Sequence, residues 1–544
     1  MKSGQIKELE KLIDGSVTDA DHARSYFATD GSVFTIMPSA VIYPRSEADV
    51  AAAVRYARAE ADKSGRKFSL IARGKGTDQA GGALGDGAMV VFPAVMNKIL
   101  KLTKDTVTVQ PGIIFGDLQK TLHTHHRFLP PYPSSIDYAT MGGAVANNTC
   151  GEKTLKYGAT RDWVKRMNVV LDDGSIIETK RISKRELNRK KGLSTREGEI
   201  YRGIDGLIQD NLGLIKEAGP KTSKNSAGYA LARVKGKDGS FDLGQLLVGA
   251  QGTLGITTEI TFATAQYEPR TNLVVGYFDS IEKAGEAVLK LQKLNPSAME
   301  VVDFYLLDFL RKNRPESLED LLPPGDLPKI VILIEFDNHS HFRQNVLGRR
   351  AGKILAKLAY AQRTSVDIKE QDRLWQIRRS AAAVIWMNNG PTKALPIIED
   401  GVVPVEKLPE FLEAVYKLLK KHKLEIAVWG HAGNANFHMQ PFMDLSKVKD
   451  RKKVFEVMDD YYNMVIKMGG STCGEHNDGL LRAPYLEKLY GKEMYDLFLE
   501  VKKICDPKGI FNPRIKLNVT KKDLEPLLRH EYSMKHLYDH MPHS

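Results

Sequence analysis

Apolar positions in this chain fall into short runs punctuated by glycine in the N-terminal half and into longer helix- and strand-like patterns in the C-terminal half. Ala40–Pro44 and Phe68–Ala72 are compact apolar runs bounded by turn residues, which predicts strands. Between them the spacing predicts a helix from about Ser46 to Ala61, with Val50, Val54 and Ala57 on one face and a capping signature in Ser46-Glu-Ala-Asp49. Ile256–Ala263 and Lys329–Phe336 predict further strands, the second buried, while Lys283–Leu294 and Lys407–Lys421 predict helices. A charged helix is expected at Met1–Lys11 and another from Glu525 onward. Around Gly430 the local order reads as strand, turn, strand.

At 544 residues the chain should hold two or more domains. Its 42% hydrophobic and 27% charged residues are ordinary for a globular protein, and no window approaches the apolar length that crosses a bilayer. The N-terminus lacks the apolar core of a secretion signal, so a cytoplasmic location is expected. Cys150, Cys473 and Cys505 are far apart and form no close pair, which excludes a disulfide framework, a zinc ribbon or an iron–sulfur ligand set. A net charge of +12 suggests an anionic surface, substrate or partner. Nucleic acid fits poorly, because the basic stretch Lys180–Lys191 has no aromatic side chains for base stacking. The whole segment Lys180–Arg202 reads as a solvated surface insertion.

The chemistry-bearing pattern is Val-Trp-Gly-His431-Ala-Gly-Asn-Ala-Asn-Phe-His438, followed by Glu475-His476. Two imidazoles and a carboxylate can hold a divalent cation while leaving positions open, as in catalytic rather than structural sites. His476 would then be free for proton transfer. The same ligand types also suit the facial triad of a non-haem iron oxygenase. In the N-terminal half, Arg73-Gly-Lys-Gly-Thr-Asp-Gln-Ala-Gly-Gly82 can converge backbone N–H groups on an anion, yet it is neither a P-loop nor a dinucleotide fingerprint. Further glycine and small-polar loops follow at Leu129–Ser135, Ala139–Asn148, Gly151, Tyr157-Gly158 and Gly249–Ile256. Together they suit an extended ligand with a pyrophosphate in the middle and a flat ring at one end.

Arg73-Gly-x-Gly-Thr, Pro133-Ser-Ser, Thr140-Met-Gly-Gly, Asn147-Asn and Gly252-Thr-Leu-Gly-Ile are similar, in this order, to the FAD-binding domain of the vanillyl-alcohol-oxidase/PCMH superfamily. Gly430-His-x-Gly-x-x-Asn-x-His438, Gly469-Gly-Ser-x-x-Gly-Glu-His476 and Asp506-Pro-x-Gly-x-Phe-Asn-Pro513 resemble the FAD-linked D-2-hydroxyacid dehydrogenases. That family includes D-lactate dehydrogenase, the glycolate oxidase catalytic subunit and D-2-hydroxyglutarate dehydrogenase. The likeness runs from about Tyr26 to Leu517.

The resemblance implies an α+β fold: a PCMH-type FAD-binding domain of two mixed subdomains over residues 36–267, then an antiparallel-sheet substrate (cap) domain with helices over 268–518. A helical segment 1–35 and a helical tail 519–544 would flank them, with the domain boundary near Ala265–Arg270 and the active site between the domains. FAD is expected to be noncovalent, because Arg73–Gly82 contains no histidine to attach it. Its implied contacts are Arg73, Gly74, Lys75, Gly76, Thr77 and Asp78, then Pro133, Ser134, Ser135, Thr140, Gly142 and Gly143. Asn147, Asn148, Gly151, Gly158, Ile256 and Asn512 complete them.

By the same resemblance His431, His438 and Glu475 would bind zinc, manganese or iron, and His476 would be the base that takes the hydroxyl proton. Arg378 in Leu374-Trp-Gln-Ile-Arg378 would grip the substrate carboxylate, assisted by Lys393, Asn436 and Gln440. The implied reaction oxidises a small D-2-hydroxy acid, D-lactate first, with transfer of a hydride to flavin. Lys393-Ala-Leu-Pro-Ile-Ile-Glu399-Asp400 resembles the bacterial branch fused to a ferredoxin-like iron–sulfur domain. With that domain missing, the expected acceptor is a separate iron–sulfur subunit or a quinone, the latter placing the protein peripherally at the inner membrane face. A noncatalytic FAD subunit of a glycolate-oxidase-like complex is the alternative. Four positions depart from the family pattern: Asn434 and Ala435 in Gly433-Asn434-Ala435-Asn436, which replaces Gly-Asp-Gly-Asn, Gln251 in place of Glu, and Asn477 in place of Gly. Cys150 is expected to be a packed thiol.

Overall fold

The computed structural model describes residues 3–64, 68–313, 315–318, 320–338, 340–379 and 390–533. The first sheet holds β1 (Ser16–Thr18), β2 (Ala40–Tyr43), β3 (Leu70–Arg73) and β4 (Ala88–Val91) in the order β1-β2-β4-β3. β2 and β3 both run parallel to β4, and β1 pairs antiparallel with β2. Residues 16–18 are an edge strand of this sheet, and Ile6, Leu9, Ile13 and Val17 pack into its core, so this stretch joins the first subdomain rather than forming a separate helical segment. The expected helix spans Glu47–Ser64, and Val50, Val54 and Ala57 are fully buried on its inner face. Ser46 Oγ accepts from the Asp49 backbone N–H at 3.2 Å, while the Asp49 carboxylate accepts from the N–H groups of Asp14 and Arg45.

The second sheet is antiparallel, with β5 (Ile99–Leu102), β6 (Thr106–Val109), β8 (Val164–Val170), β9 (Ile176–Lys180) and β10 (Ile256–Ala263) in the order β5-β6-β10-β8-β9. A small ladder of β7 (Arg127–Phe128) and β11 (Ala265–Gln266) closes this half near the expected boundary. The basic stretch is not a solvated insertion. Ser183 caps the helix Lys184–Lys191, the helix Arg196–Asp210 follows, and Ile182, Leu187, Ile200, Tyr201 and Ile204 are buried in the subdomain core. The cations sit on the outer side and are partly paired, Lys191 with Asp205 and Arg196 with Asp172, each at 2.5 Å. The charge run conceals a helical apolar stripe.

The remaining strands form one eight-stranded sheet: β12 (Asn272–Phe278), β13 (Ala298–Asp303), β14 (Ile330–Phe336), β15 (Ala361–Ser365), β16 (Thr392–Ala394), β17 (Gly401–Val402), β18 (Ile426–His431) and β19 (Asn436–Asp444). Their order is β15-β12-β14-β13-β18-β19-β16, with β17 also on β19, and each of these pairs is antiparallel. Helices cover both faces, so β14 is buried along its length, which explains its unbroken apolar sequence. The expected C-terminal helix is reduced to Lys521–Leu524 and a 3-10 turn at Glu525–Leu527, as Pro526 cannot continue the hydrogen-bond ladder. The chain then returns to the first subdomain, where Arg529 donates to Phe34 O and Tyr532 to Gly31 O. The rest of the expected tail, residues 534–544, lies outside the described residues. No described helix is long and apolar enough to cross a membrane.

Candidate functional site

Strand register puts the two histidines together. In the β18–β19 hairpin His431 lies opposite Asn436 and Trp429 opposite His438. Residues directly opposite share a face, as do alternate residues along a strand, so His431 and His438 point to the same side despite their odd separation. The turn between them is left-handed at Ala435, with φ of 48°, where the family pattern has glycine. That conformation costs about 1–2 kcal/mol for a residue with a Cβ.

Glu475 closes the group. Its Oε1 lies 3.1 Å from His431 Nε2, 3.2 Å from His438 Nε2 and 3.4 Å from His476 Nε2. The donor atoms of His431, His438 and Glu475 all lie within 4.8 Å of one another. Each side chain has a partner behind it. Glu300 Oε1 takes His431 Nδ1 at 2.7 Å, and Glu399 Oε2 takes His476 Nδ1 at 2.5 Å and lies 3.4 Å from His438 Nδ1. Lys224 Nζ donates to Glu475 Oε2 at 2.9 Å and to Asn436 Oδ1 at 3.3 Å. Asp400 accepts from the backbone N–H groups of Glu475 and His476 and fixes that loop. Glu399 is itself paired with the fully buried Arg482.

These neighbours set the protonation states. Burial works against ionisation of Glu475, but Lys224 and His431 outweigh it and hold the carboxyl well below its usual range. Burial also pushes His438 down to about 4, which leaves it neutral with a lone pair to offer. For His431 the pull of burial toward the neutral ring is overcome by Glu300. In His476, burial is overcome by Asp400 and Glu475, so its pKa rises to about 9.

The cluster lines a cavity of about 790 Å³ whose wall also includes the glycine loops. Of the FAD contacts expected from sequence, Arg73 to Asp78, Pro133 to Ser135, Thr140, Gly142, Gly143, Asn147 and Gly151 border it. Arg73 also turns its guanidinium into the protein, donating to Thr29 O and Ala83 O beneath Gly76. An ideal Cβ on Gly76, at φ of 76°, would meet that guanidinium at 2.1 Å. Asp78 joins three loops: Oδ1 accepts from the N–H groups of Ala80 and Gly82, and Oδ2 from Asn147 Nδ2 and Gln251 Nε2. Bare glycine backbone and a cavity of about 790 Å³ fit a dinucleotide-sized ligand such as FAD.

Asn148, Gly158, Ile256 and Asn512 stand behind the wall rather than on it. Asn148 caps the helix Met141–Asn147 and donates to Ser226, Gly158 ends the short helix Thr154–Tyr157, and Ile256 packs in the core. Asn512 Nδ2 donates to Gly82 O and Gln251 O. Asn477, at φ of 67°, donates to Asn147 O and Gly249 O, so this departure also serves loop packing.

On the substrate side, Arg378 borders the cavity, and its Nε donates to Glu300 Oε2 at 2.9 Å. Arg379, one residue on, also borders the cavity, lying over the Trp375 ring and 3.9 Å from Glu152. Three other expected contacts are not brought to the cavity wall. Asn436 is fully buried and donates to Asp400, while Gln440 donates to Gln79 at 3.5 Å. Lys393 lies opposite Met443, on the face of the sheet away from His438, because β16 enters in that register. Cys150 is buried, and burial pushes its thiol up to about 12, as a packed thiol requires.

Glu300, Glu399, Lys224 and Arg482 were not singled out from sequence as members of the site. Glu300 left a signal as a lone carboxylate in the otherwise apolar strand core Ala298–Val302, and Glu399 stands in the Lys393–Asp400 stretch that carries part of the family resemblance.

Two family models match the chain: the FAD binding domain over residues 38–180, and the C-terminal domain of FAD linked oxidases over residues 268–515. The chain is 28% identical to D-2-hydroxyglutarate dehydrogenase of Escherichia coli (strain K12), covering 95% of this chain and 53% of that protein. It thus spans about half the length of that relative. It is 27% identical to glycolate oxidase subunit GlcD of Bacillus subtilis (strain 168), covering 94% and 97%. D-lactate dehydrogenase of Archaeoglobus fulgidus is 26% identical, with 87% and 90% covered. Among solved structures, 4-ethylphenol oxidase from Gulosibacter chungangensis has a TM-score of 0.68 at 16% identity, covering 96% of this chain and 99% of its own. An alkyldihydroxyacetonephosphate synthase gives 0.62 at 16% identity, covering 94% and 86%. Both show the fold alone.

Proposed function

From a chain that carries the FAD-binding and C-terminal domains of the FAD linked oxidases, we propose a metal-dependent dehydrogenase that oxidises a D-2-hydroxy acid, D-lactate first, to the 2-oxo acid. The observation that carries this reading is the convergence of three imidazole Nε2 atoms on Glu475 Oε1 in the wall of the glycine-lined cavity. His431, His438 and Glu475 would hold the divalent cation, whose chemistry is to bind the substrate hydroxyl and make it more acidic. The loops at Arg73–Asp78, Pro133–Ser135 and Thr140–Gly143 would hold FAD, which supplies hydride acceptance at N5.

The chain's own residues do the remaining work. Arg378 binds the substrate carboxylate and thereby orients the carbon that carries the hydroxyl. His476 takes the hydroxyl proton on Nε2, while Glu399 fixes the ring through Nδ1 and balances the imidazolium charge that results. Against the pull of burial, Asp400 and Glu475 raise the His476 pKa to about 9, and a dication held by His431, His438 and Glu475 would oppose those carboxylates and free the ring to act as a base. Electrons leave to a separate acceptor, an iron–sulfur subunit or a quinone. Two relatives carry names that support this class, and one is named as a subunit of glycolate oxidase.

The test is anaerobic mixing of the yellow protein with D-lactate, L-lactate, glycolate and D-2-hydroxyglutarate, with and without chelator, following flavin bleaching. Bleaching by a D-acid that chelator abolishes is the expected result. Bound FAD that no acid bleaches would favour a noncatalytic subunit. Iron-dependent turnover without flavin would instead favour the oxygenase.

A further inference from the structure

β13 brings a carboxylate to the site that neither the glycine loops nor the histidine pattern announces. Val301 pairs with Gly430, so Glu300 stands directly across from His431. Glu300 is 1% exposed and lies in a strand whose other side chains are also buried. Its two oxygens have different partners: Oε1 takes His431 Nδ1 at 2.7 Å, and Oε2 takes Arg378 Nε at 2.9 Å. Arg378 comes from the helix Ile368–Arg379 and is itself 7% exposed.

We propose that Glu300 is a shared positioning residue, with one oxygen fixing the metal ligand His431 and the other fixing the arginine that grips the substrate. The inference rests on the reading above and adds a geometric constraint to it. A hydrogen bond at Nδ1 holds His431 in the tautomer whose Nε2 lone pair faces Glu475, and outer partners of this kind set ligand orientation and basicity. The bond at Nε fixes the plane of the Arg378 guanidinium at the cavity wall. One buried side chain therefore sets the distance between bound cation and bound carboxylate. Such spacing decides whether a 2-hydroxy acid can reach both, since its hydroxyl and carboxylate are on adjacent carbons.

Substitutions separate the two arms. In Glu300→Gln the amide oxygen still accepts from His431, but the amide NH₂ faces the Arg378 N–H, donor against donor. Glu300→Ala removes both partners, and Arg378→Met removes only the substrate arm. Zinc affinity is measured by chelator competition on the purified flavoprotein, alongside KM and kcat for whichever D-2-hydroxy acid bleaches the parent. The flavin-to-protein absorbance ratio confirms that each variant is folded.

Glu300→Ala is expected to weaken zinc by about 10–100-fold. Glu300→Gln should hold zinc within about 3-fold of the parent yet raise KM about 10-fold or more, because one charge-assisted bond is exchanged for a repulsive contact. Arg378→Met should raise KM with zinc affinity unchanged. If Glu300→Ala does not fold, the other two variants carry the test, since each keeps nearly the parent side-chain volume. Zinc binding by Glu300→Ala as tight as the parent's, with the parent active, overturns the proposal alone. Parallel changes of zinc affinity and KM in Glu300→Gln also overturn it, since the arms would not be separable. A parent that takes up no zinc or other divalent ion overturns both the proposal and the metal part of the reading above.

Discussion

Lys224 Nζ lies 2.9 Å from Glu475 Oε2, across 251 positions of sequence, so the N-terminal half supplies the counter-charge for the central carboxylate of the C-terminal half. Both side chains are almost wholly buried, at 2% and 6% exposure. The contact also leaves a single Glu475 oxygen facing the histidines. Removing one member of a buried pair strands the other charge, which typically costs about 3–5 kcal/mol. Lys224→Met is therefore expected to lower the denaturation midpoint clearly in urea, and a midpoint equal to the parent's would show that the pair contributes nothing.

His476 and Glu399 should be separable by kinetics. His476→Ala is expected to keep the flavin spectrum while slowing flavin reduction by about two to four powers of ten. Glu399→Gln retains the ring nitrogen as proton acceptor but loses the carboxylate behind it, and a smaller loss of about 10–100-fold is expected. Stopped-flow flavin reduction reads both. Equal losses in the two variants would argue that Glu399 does more than orient the ring.

Metal removal provides a direct test of the histidine cluster. Dialysis against chelator should abolish reduction by substrate without releasing FAD, because the cofactor loops and the cluster are separate parts of the cavity wall. Zinc or manganese should restore it. Arg378→Lys should mainly raise KM, since an ammonium cannot reproduce a bidentate fork.

The loop joint at Asp78 predicts a cofactor phenotype. Its carboxylate gathers two backbone N–H groups together with Asn147 and Gln251. Loss of these buried partners, at about 1–3 kcal/mol, should weaken FAD by about 10–100-fold in Asp78→Ala. Flavin retention after gel filtration would reveal it. Full retention would show that the loops hold their shape without this joint.

Asp303 gives the pH test. Burial raises its pKa to about 7, opposed by the backbone N–H of Leu306 and by Tyr416. The folded state thus favours the protonated carboxyl: the associated stability is full below about 4, its unfolded value, and is lost as pH rises through about 7. Between pH 4 and pH 8 the parent should lose more stability than Asp303→Asn, by up to about 4 kcal/mol, with most of the loss complete by about pH 7. Parallel curves for the two proteins would refute it.

Much of this protein was legible in the sequence. Periodicity located β10, β14 and the helices near Lys283 and Lys407, because local spacing alone decides which face an element can bury. Spacing also placed His431 and His438 across a turn, because two strands and a short loop form a local unit. The glycine loops announced a phosphate-bearing ligand, because bare backbone has few other uses at such density. Misreadings arose where apolar residues lay hidden among charges, as at Leu187 and Tyr201, or where a proline cut short an expected helix, as at Pro526.

What the tertiary structure alone decided is the identity of the partners. Glu300 meets His431 through the pairing of β13 with β18, Glu399 meets His476 where a loop folds back, and Lys224 crosses from the other half of the chain. Lys393, by contrast, is turned away from the site by strand register. A buried charge is stable only beside its counter-charge, and which one that is depends on how distant strands and loops pack together. The sequence by itself determined which residues could do the chemistry. The fold determined how they are held and in what state of charge.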